Sequence, residues 1–136
     1  METHNILIVD DDLDISFMLK MMLEYKGYSV SIAERVEQVP DILRSKPINL
    51  VIMDMLLSGV NGVDVCKSLK EGKDTAMIPI IMISAHPFAK ESCLEAGAND
   101  FISKPFEMAD ILSKISRAIH PSSAEKAKNQ KFNLPG

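Results

Sequence analysis

The sequence predicts a doubly wound α/β sandwich: a five-stranded parallel sheet with helices on both faces. Three observations lead there. Short apolar, β-branched runs recur at residues 6–9, 28–32, 50–53, 80–83 and 101–103. The segments between them repeat their apolar residues at helical spacing, and strands alternating with helices build parallel sheets. The run at 50–53 is continuously apolar rather than alternating, as in strands covered on both faces.

After the first strand, Ile15, Met18, Leu19 and Met22 predict a helix that closes at Gly27, with Asp12 or Asp14 capping its start. Pro40 interrupts the second helical segment. It lacks an N–H, so either the helix starts late, with Pro40 in its first turn, or it is kinked there. The third helix follows Gly62 and places Val63, Cys66 and Leu69 or Lys70 on successive turns. The stretch between Ala85 and Gly97 contains Pro87, which puts a fourth helix there in doubt. The fifth carries Ile111, Leu112, Ile115 and Ile119, and Pro121 ends it. Residues 121–136 hold three lysines against one glutamate, and only Phe132 and Leu134 are sizeable apolar residues. They are expected to be a polar tail or linker after a folded domain at 1–120.

Bulk properties narrow the function. The chain has 136 residues, 46% apolar and 25% charged, as expected of one globular domain. A net charge of -4 gives no reason to expect nucleic-acid binding. No apolar stretch approaches the roughly 18 residues that span a bilayer. The N-terminus, "METHNILIVDDD", lacks the basic region of a signal peptide, so a cytoplasmic location is expected. Cys66 and Cys93 have no C-x-x-C spacing and read as reduced, buried small hydrophobes. The nine methionines read as flexible core filling. His4, His86 and His120 show no ligand spacing and are expected at the surface, with His86 close to Ser84. Asp64 and Asp100 read as surface or capping acids.

The polar residues carry the chemistry. Asp10 and Asp11 follow the first strand, Asp54 ends the third, Ser84 ends the fourth, and Lys104 follows the fifth. All lie at strand carboxyl ends, which in an open parallel sheet form one ligand-binding edge. Carboxylates about 4 Å apart repel by roughly 4 kcal/mol at the effective dielectric of a partly buried site. A hard divalent cation turns that repulsion into coordination, and Mg2+ takes one or two carboxylates plus phosphate oxygens. With a lysine, a hydroxyl and a carboxylate beside it, the site suits phosphoryl transfer with Asp54 as nucleophile.

At this point the sequence resembles the response-regulator receiver domains of two-component signalling. The resemblance runs from about Asn5 to Ile119 and rests on "ILIVDDD", "LVIMDMLLSGVNG", "IPIIMISA" and "EAGANDFISKPF", in order and at about the family's separations. It implies a sheet in the flavodoxin-like order 2-1-3-4-5, with Asp54 as the phosphoacceptor. It further implies that Asp11, Asp54 and the backbone carbonyl of Leu56 bind Mg2+, with Asp10 holding the ion through water. Lys104 resembles the lysine of the phosphoryl site and Pro105 the cis-proline that aims it. Ser84 resembles the switch hydroxyl, and Phe101 the aromatic that swings inward with it. Three features depart from the family. Ser58 stands where proline is frequent, which is expected to loosen that loop without abolishing chemistry. Phe101 lacks the usual tyrosine hydroxyl. The stretch from Ala85 to Gly97 is short.

The implied partners are a sensor histidine kinase or phosphotransfer protein as donor and a downstream protein target. Homodimerisation on phosphorylation is also open. Neither nucleic acid nor membrane is expected to bind this chain directly. The only catalysis expected is self-phosphorylation and self-dephosphorylation. Two alternatives stand beside this reading. Asp10-x-Asp12 has the spacing of haloacid-dehalogenase-like small phosphatases, which would make Asp10 the nucleophile. The chain is alternatively a receiver cut from a longer DNA-binding regulator or hybrid kinase, although a stand-alone receiver is the favoured expectation.

Overall fold

The computed structural model describes residues 3–121. The expected tail at 121–136 therefore lies, after its first residue, outside the described residues. Five strands form one sheet: β1 (Asn5–Val9), β2 (Ser29–Ala33), β3 (Leu50–Asp54), β4 (Ile80–Ser84) and β5 (Asp100–Ser103). All neighbours pair in parallel, in the predicted order 2-1-3-4-5. Register fixes the edge that matters. Ile8 pairs with both Ile32 and Ile52, Asp54 with Ile83, and Ser84 with Ser103, so the carboxyl ends of β1, β3, β4 and β5 finish side by side.

Alternation along the strands divides the core in two. Ile6, Ile8, Leu50, Ile52, Ile81 and Ile83 face α1 (Leu13–Tyr25) and α5 (Met108–Ile119), packing on Leu19, Leu23, Ile111 and Ile115. Leu7, Val9, Val51, Met53, Ile80 and Met82 face the opposite way. They pack on Val39, Cys66, Ala89 and Cys93 from α2 (Val39–Ser45), α3 (Gly62–Glu71) and α4 (Ala89–Glu95). Each fully buried Leu or Ile contributes about 1.5–3 kcal/mol by leaving water. β3 is apolar on both faces because both faces are covered, as its unbroken apolar run predicts.

Several local expectations meet their outcome here. Asp12 caps α1, its carboxylate accepting from the N–H groups of Asp14 and Ile15. Pro40 sits in the first turn of α2, preceded by a 3-10 turn at Val36–Gln38, so the late-start alternative holds: an N–H there needs no helical partner. The fourth helix forms, seven residues long. Cys66 and Cys93 are both buried and free. The buried face of α1 matches the expected one in part: Leu19 is buried and Ile15 packs against the same core. Leu19 and Leu23, one turn apart, are buried with Ser16, while Met18 turns toward solvent. The methionine expectation holds only in part: Met53 and Met82 fill the core, whereas Met18, Met21 and Met77 are exposed.

One element has no counterpart in the sequence reading. Leu56–Leu57 pairs antiparallel with Val60–Asn61 around a two-residue turn. Ser58 has φ 45 and Gly59 φ 85, the pair of positive φ values that a type I′ hairpin turn requires. The loop after Asp54 is thus closed into a hairpin, with Ser58 in its turn.

Candidate functional site

Buried strands end abruptly in acids at the carboxyl edge of the sheet. Asp10 follows β1 and is 2% exposed. Its Oδ1 accepts from the Asp12 N–H at 2.9 Å, and its own N–H donates to the Ala33 carbonyl at 3.1 Å, locking it between β1 and β2. Asp11 is exposed beside it. Asp54, the last residue of β3, is half-buried, and its Oδ1 accepts from the Leu56 N–H at 3.1 Å. Carboxylate oxygens of Asp10, Asp11 and Asp54 all lie within 4.8 Å of one another. The structure therefore brings together the three acids that the sequence placed on two different strands.

Lys104 provides the opposing charge. It follows β5, its N–H donates to the Ser84 carbonyl at 2.9 Å, and the peptide joining it to Pro105 is cis. Its Nζ lies 2.7 Å from Asp54 Oδ2 and 3.9 Å from Asp10 Oδ2. Ser84 ends β4 and is buried, and its Oγ accepts from the His86 N–H at 3.0 Å. Phe101 is buried on β5, packed in the core with Met53, Met82 and Ala98. Leu56 projects its side chain to solvent from the hairpin while its N–H binds Asp54. His86 does touch the site loop, as expected, but through its backbone.

The electrostatics follow from burial. Asp10 has lost its water, so burial pushes its carboxyl up to about 6, the nearby charges of Asp54 and Asp11 push the same way, and the Asp12 N–H and Lys104 oppose them. Burial works against the Lys104 charge too, but the hydrogen bond and proximity of Asp54, with Asp10 beyond, hold its ammonium above the usual lysine range. One lysine thus faces three acids, which leaves the cluster short of positive charge. All the acidic donors are hard oxygens, the set that suits Mg2+ rather than a soft metal. The three carboxylates fit a hard divalent cation such as magnesium.

Two features escaped the sequence reading. Ser58 reaches across to Asp11, its N–H at 3.1 Å and its Oγ at 2.7 Å from Asp11 Oδ2. The signal was the Ser-Gly dipeptide between apolar residues, a hairpin-turn pattern. The second is a solvent-facing apolar stripe on α1: Leu13, Phe17, Met21 and Tyr25, four residues apart and therefore on one face. Phe17 is 53% exposed, Met21 71% and Tyr25 88%. The stripe begins one residue after the Asp12 cap, at the rim of the acidic cluster.

Comparison with known proteins matches this geometry. Residues 6–116 fit the family model described as the response regulator receiver domain. The transcriptional regulatory protein YkoG of Bacillus subtilis, itself uncharacterized, is 36% identical over 121 residues, which is 88% of this chain and 52% of that protein. The chain spans about half the length of the curated relatives it matches. The receiver domain of NtrX from Brucella abortus superposes with a TM-score of 0.79 at 28% identity, covering 86% of this chain and 99% of that one. The receiver domain of the sensor histidine kinase PA1611 from Pseudomonas aeruginosa does so with a TM-score of 0.77 at 26% identity, covering 87% and 98%; its structure has a magnesium ion coordinated in the active site cleft.

Proposed function

This chain belongs to the response regulator receiver domain family of two-component signalling, and from that premise we propose that Asp54 accepts a phosphoryl group from the phosphohistidine of a sensor kinase or phosphotransfer protein. The observation that carries the proposal is the convergence of Asp10, Asp11 and Asp54 within 4.8 Å, with Lys104 at 2.7 Å from Asp54. Asp11, Asp54 and the Leu56 carbonyl would hold a magnesium ion, with Asp10 reaching it through water, and the ion would neutralise charge on the incoming phosphoryl oxygens.

The chain's own residues account for the rest. An Asp54 carboxylate oxygen attacks phosphorus. The O–P bond forms as the P–N bond breaks, and the imidazole, protonated on its other nitrogen, departs neutral. Lys104 exchanges its Asp54 partner for a phosphoryl oxygen. The Ser84 hydroxyl, whose oxygen is anchored by the His86 N–H, keeps a proton to donate to the same group. Movement of Ser84 frees space that Phe101 fills, and α4, β5 and α5 present a changed surface to a protein target. The event is a local charge change biasing a two-state element.

The phosphodonor protein docks along Leu13, Phe17, Met21 and Tyr25. That stripe is contiguous with the acidic rim, so a partner covering it brings its histidine over Asp54. We place the protein in the cytoplasm, where such donors meet their substrates; no described helix is long and apolar enough to cross a membrane. The chemistry is confined to self-phosphorylation and self-dephosphorylation. The curated relatives are about twice as long and carry regulatory names, which supports a receiver that works with an effector domain beside the stand-alone reading. The haloacid-dehalogenase-like alternative finds no support in the family match, and Asp10 is too enclosed to meet a substrate. Reductive trapping and peptide mapping after phosphorylation test the assignment: the label belongs on Asp54, and a label on Asp10 would reject it.

A further inference from the structure

We propose that Ser58 is a positioning residue for the magnesium site, holding Asp11 in the orientation that binds the ion. The inference rests on the receiver reading above, and Ser58 has no part in that reading. Its backbone is in the left-handed region, φ 45, a conformation that L side chains rarely adopt. The hairpin turn sets that conformation, and it aims both donors of one residue at one acceptor: the N–H at 3.1 Å and the Oγ at 2.7 Å from Asp11 Oδ2. Two donors converging from a rigid turn fix a carboxylate that is otherwise exposed and free to rotate. Asp11 Oδ1 accepts no hydrogen bond among the described residues, so it is the oxygen left to an ion.

The hairpin also ties this grip to the phosphoacceptor. It begins at Leu56, whose N–H binds Asp54 Oδ1, and it closes where the Gly62 N–H donates to the Met55 carbonyl. A Cβ on Gly62 would run into the Asp54 backbone carbonyl, so the chain returns against the end of β3 with no slack. Ser58 therefore couples the acid after β1 to the acid ending β3. Hydrogen bonds behind a metal ligand fix its orientation, and their loss weakens metal binding about 10–100-fold. A proline at this position would supply neither donor.

Isothermal titration of Mg2+ into wild type, Ser58→Gly and Ser58→Asn tests the proposal, with melting in chelator as the structural control. Glycine accepts a positive φ without strain, so Ser58→Gly removes the hydroxyl while keeping the turn. The expected result is unchanged or higher stability without metal and about tenfold weaker Mg2+ binding. Asparagine tolerates the same φ and brings an amide donor, so Ser58→Asn is expected to restore binding toward wild type. Equal or tighter Mg2+ binding by Ser58→Gly would overturn the positioning role while leaving the receiver reading intact. Failure of wild type to bind Mg2+ would overturn both.

Discussion

The Lys104 ammonium lies 2.7 Å from the Asp54 carboxylate, joining the residue after β5 to the residue ending β3 across the intervening strand. The pair is largely shielded from water, and Asp10 stands 3.9 Å from the same ammonium. Removing one member of such a pair leaves a charge buried without its partner. Lys104→Met is therefore expected to lower the stability of the metal-free protein by about 1–3 kcal/mol. The same change should slow phosphorylation of Asp54 severely. Urea unfolding in chelator reads the first effect and phosphorylation kinetics the second. Unchanged kinetics would show that Lys104 balances charge and does nothing for transfer.

Asp10 predicts a pH dependence of opposite sign to that of most carboxylates. Its folded-state value of about 6 lies above the ordinary 3.8, so between those values the folded protein binds more protons than the unfolded chain. Stability attributable to Asp10 is then greatest at low pH and falls as pH rises through that window. That rise corresponds to about 3 kcal/mol. Asp10→Asn should thus stabilise the metal-free protein at pH 7 and flatten the wild-type-minus-variant difference below pH 4. With Mg2+ present the advantage should shrink, because the ion stabilises only the carboxylate. A variant less stable than wild type in chelator at pH 7 would contradict this.

The apolar stripe on α1 makes a prediction that separates docking from chemistry. Phe17→Asp places a charge in the middle of the stripe, at a residue outside both core clusters. Phosphorylation by acetyl phosphate, which needs no docking, should proceed as in wild type. Phosphorylation by a histidine kinase should slow by about tenfold or more, since an aromatic anchor lost from an interface costs about 1–2 kcal/mol or more. Equal loss with both donors would indicate damage to the site instead.

Ser84 predicts a variant that accepts phosphate but does not transmit it. Ser84→Ala deletes the hydroxyl and leaves Asp54, Lys104 and the acids in place. Phosphorylation should still occur, while the backbone amide shifts of Phe101 and its neighbours on β5 should move much less than in wild type. Full-sized shifts at Phe101 in Ser84→Ala would contradict the switch.

Much of this was legible in the sequence, for identifiable reasons. The parallel sheet and the carboxyl-edge placement of Asp10, Asp54, Ser84 and Lys104 follow from strand runs that end abruptly in polar residues, whereas the strand order came from the family resemblance. Strand ends were less exact: β2 spans Ser29–Ala33, one residue later than its hydrophobic run, because pairing with β1 decides the boundary. Met18 was misplaced because on helical spacing alone it fits either flank of the buried stripe, and tertiary packing chose Leu19 and Leu23. The hairpin after Asp54 was missed because its strands are two residues each, too short for periodicity to register. Ser58 looked like a missing proline; its bonds to Asp11 depend on a backbone conformation visible only once the turn is folded.

The central claim is that Mg2+ and three converging acids prepare Asp54 to accept phosphorus. Intact-mass measurement after incubation with acetyl phosphate tests it most directly, comparing wild type with Mg2+, wild type with chelator, and Asp54→Ala with Mg2+. The account predicts the gain of one phosphoryl group in the first sample and none in the other two. A gain that persists in Asp54→Ala or in chelator, or no gain in wild type with Mg2+, would contradict it.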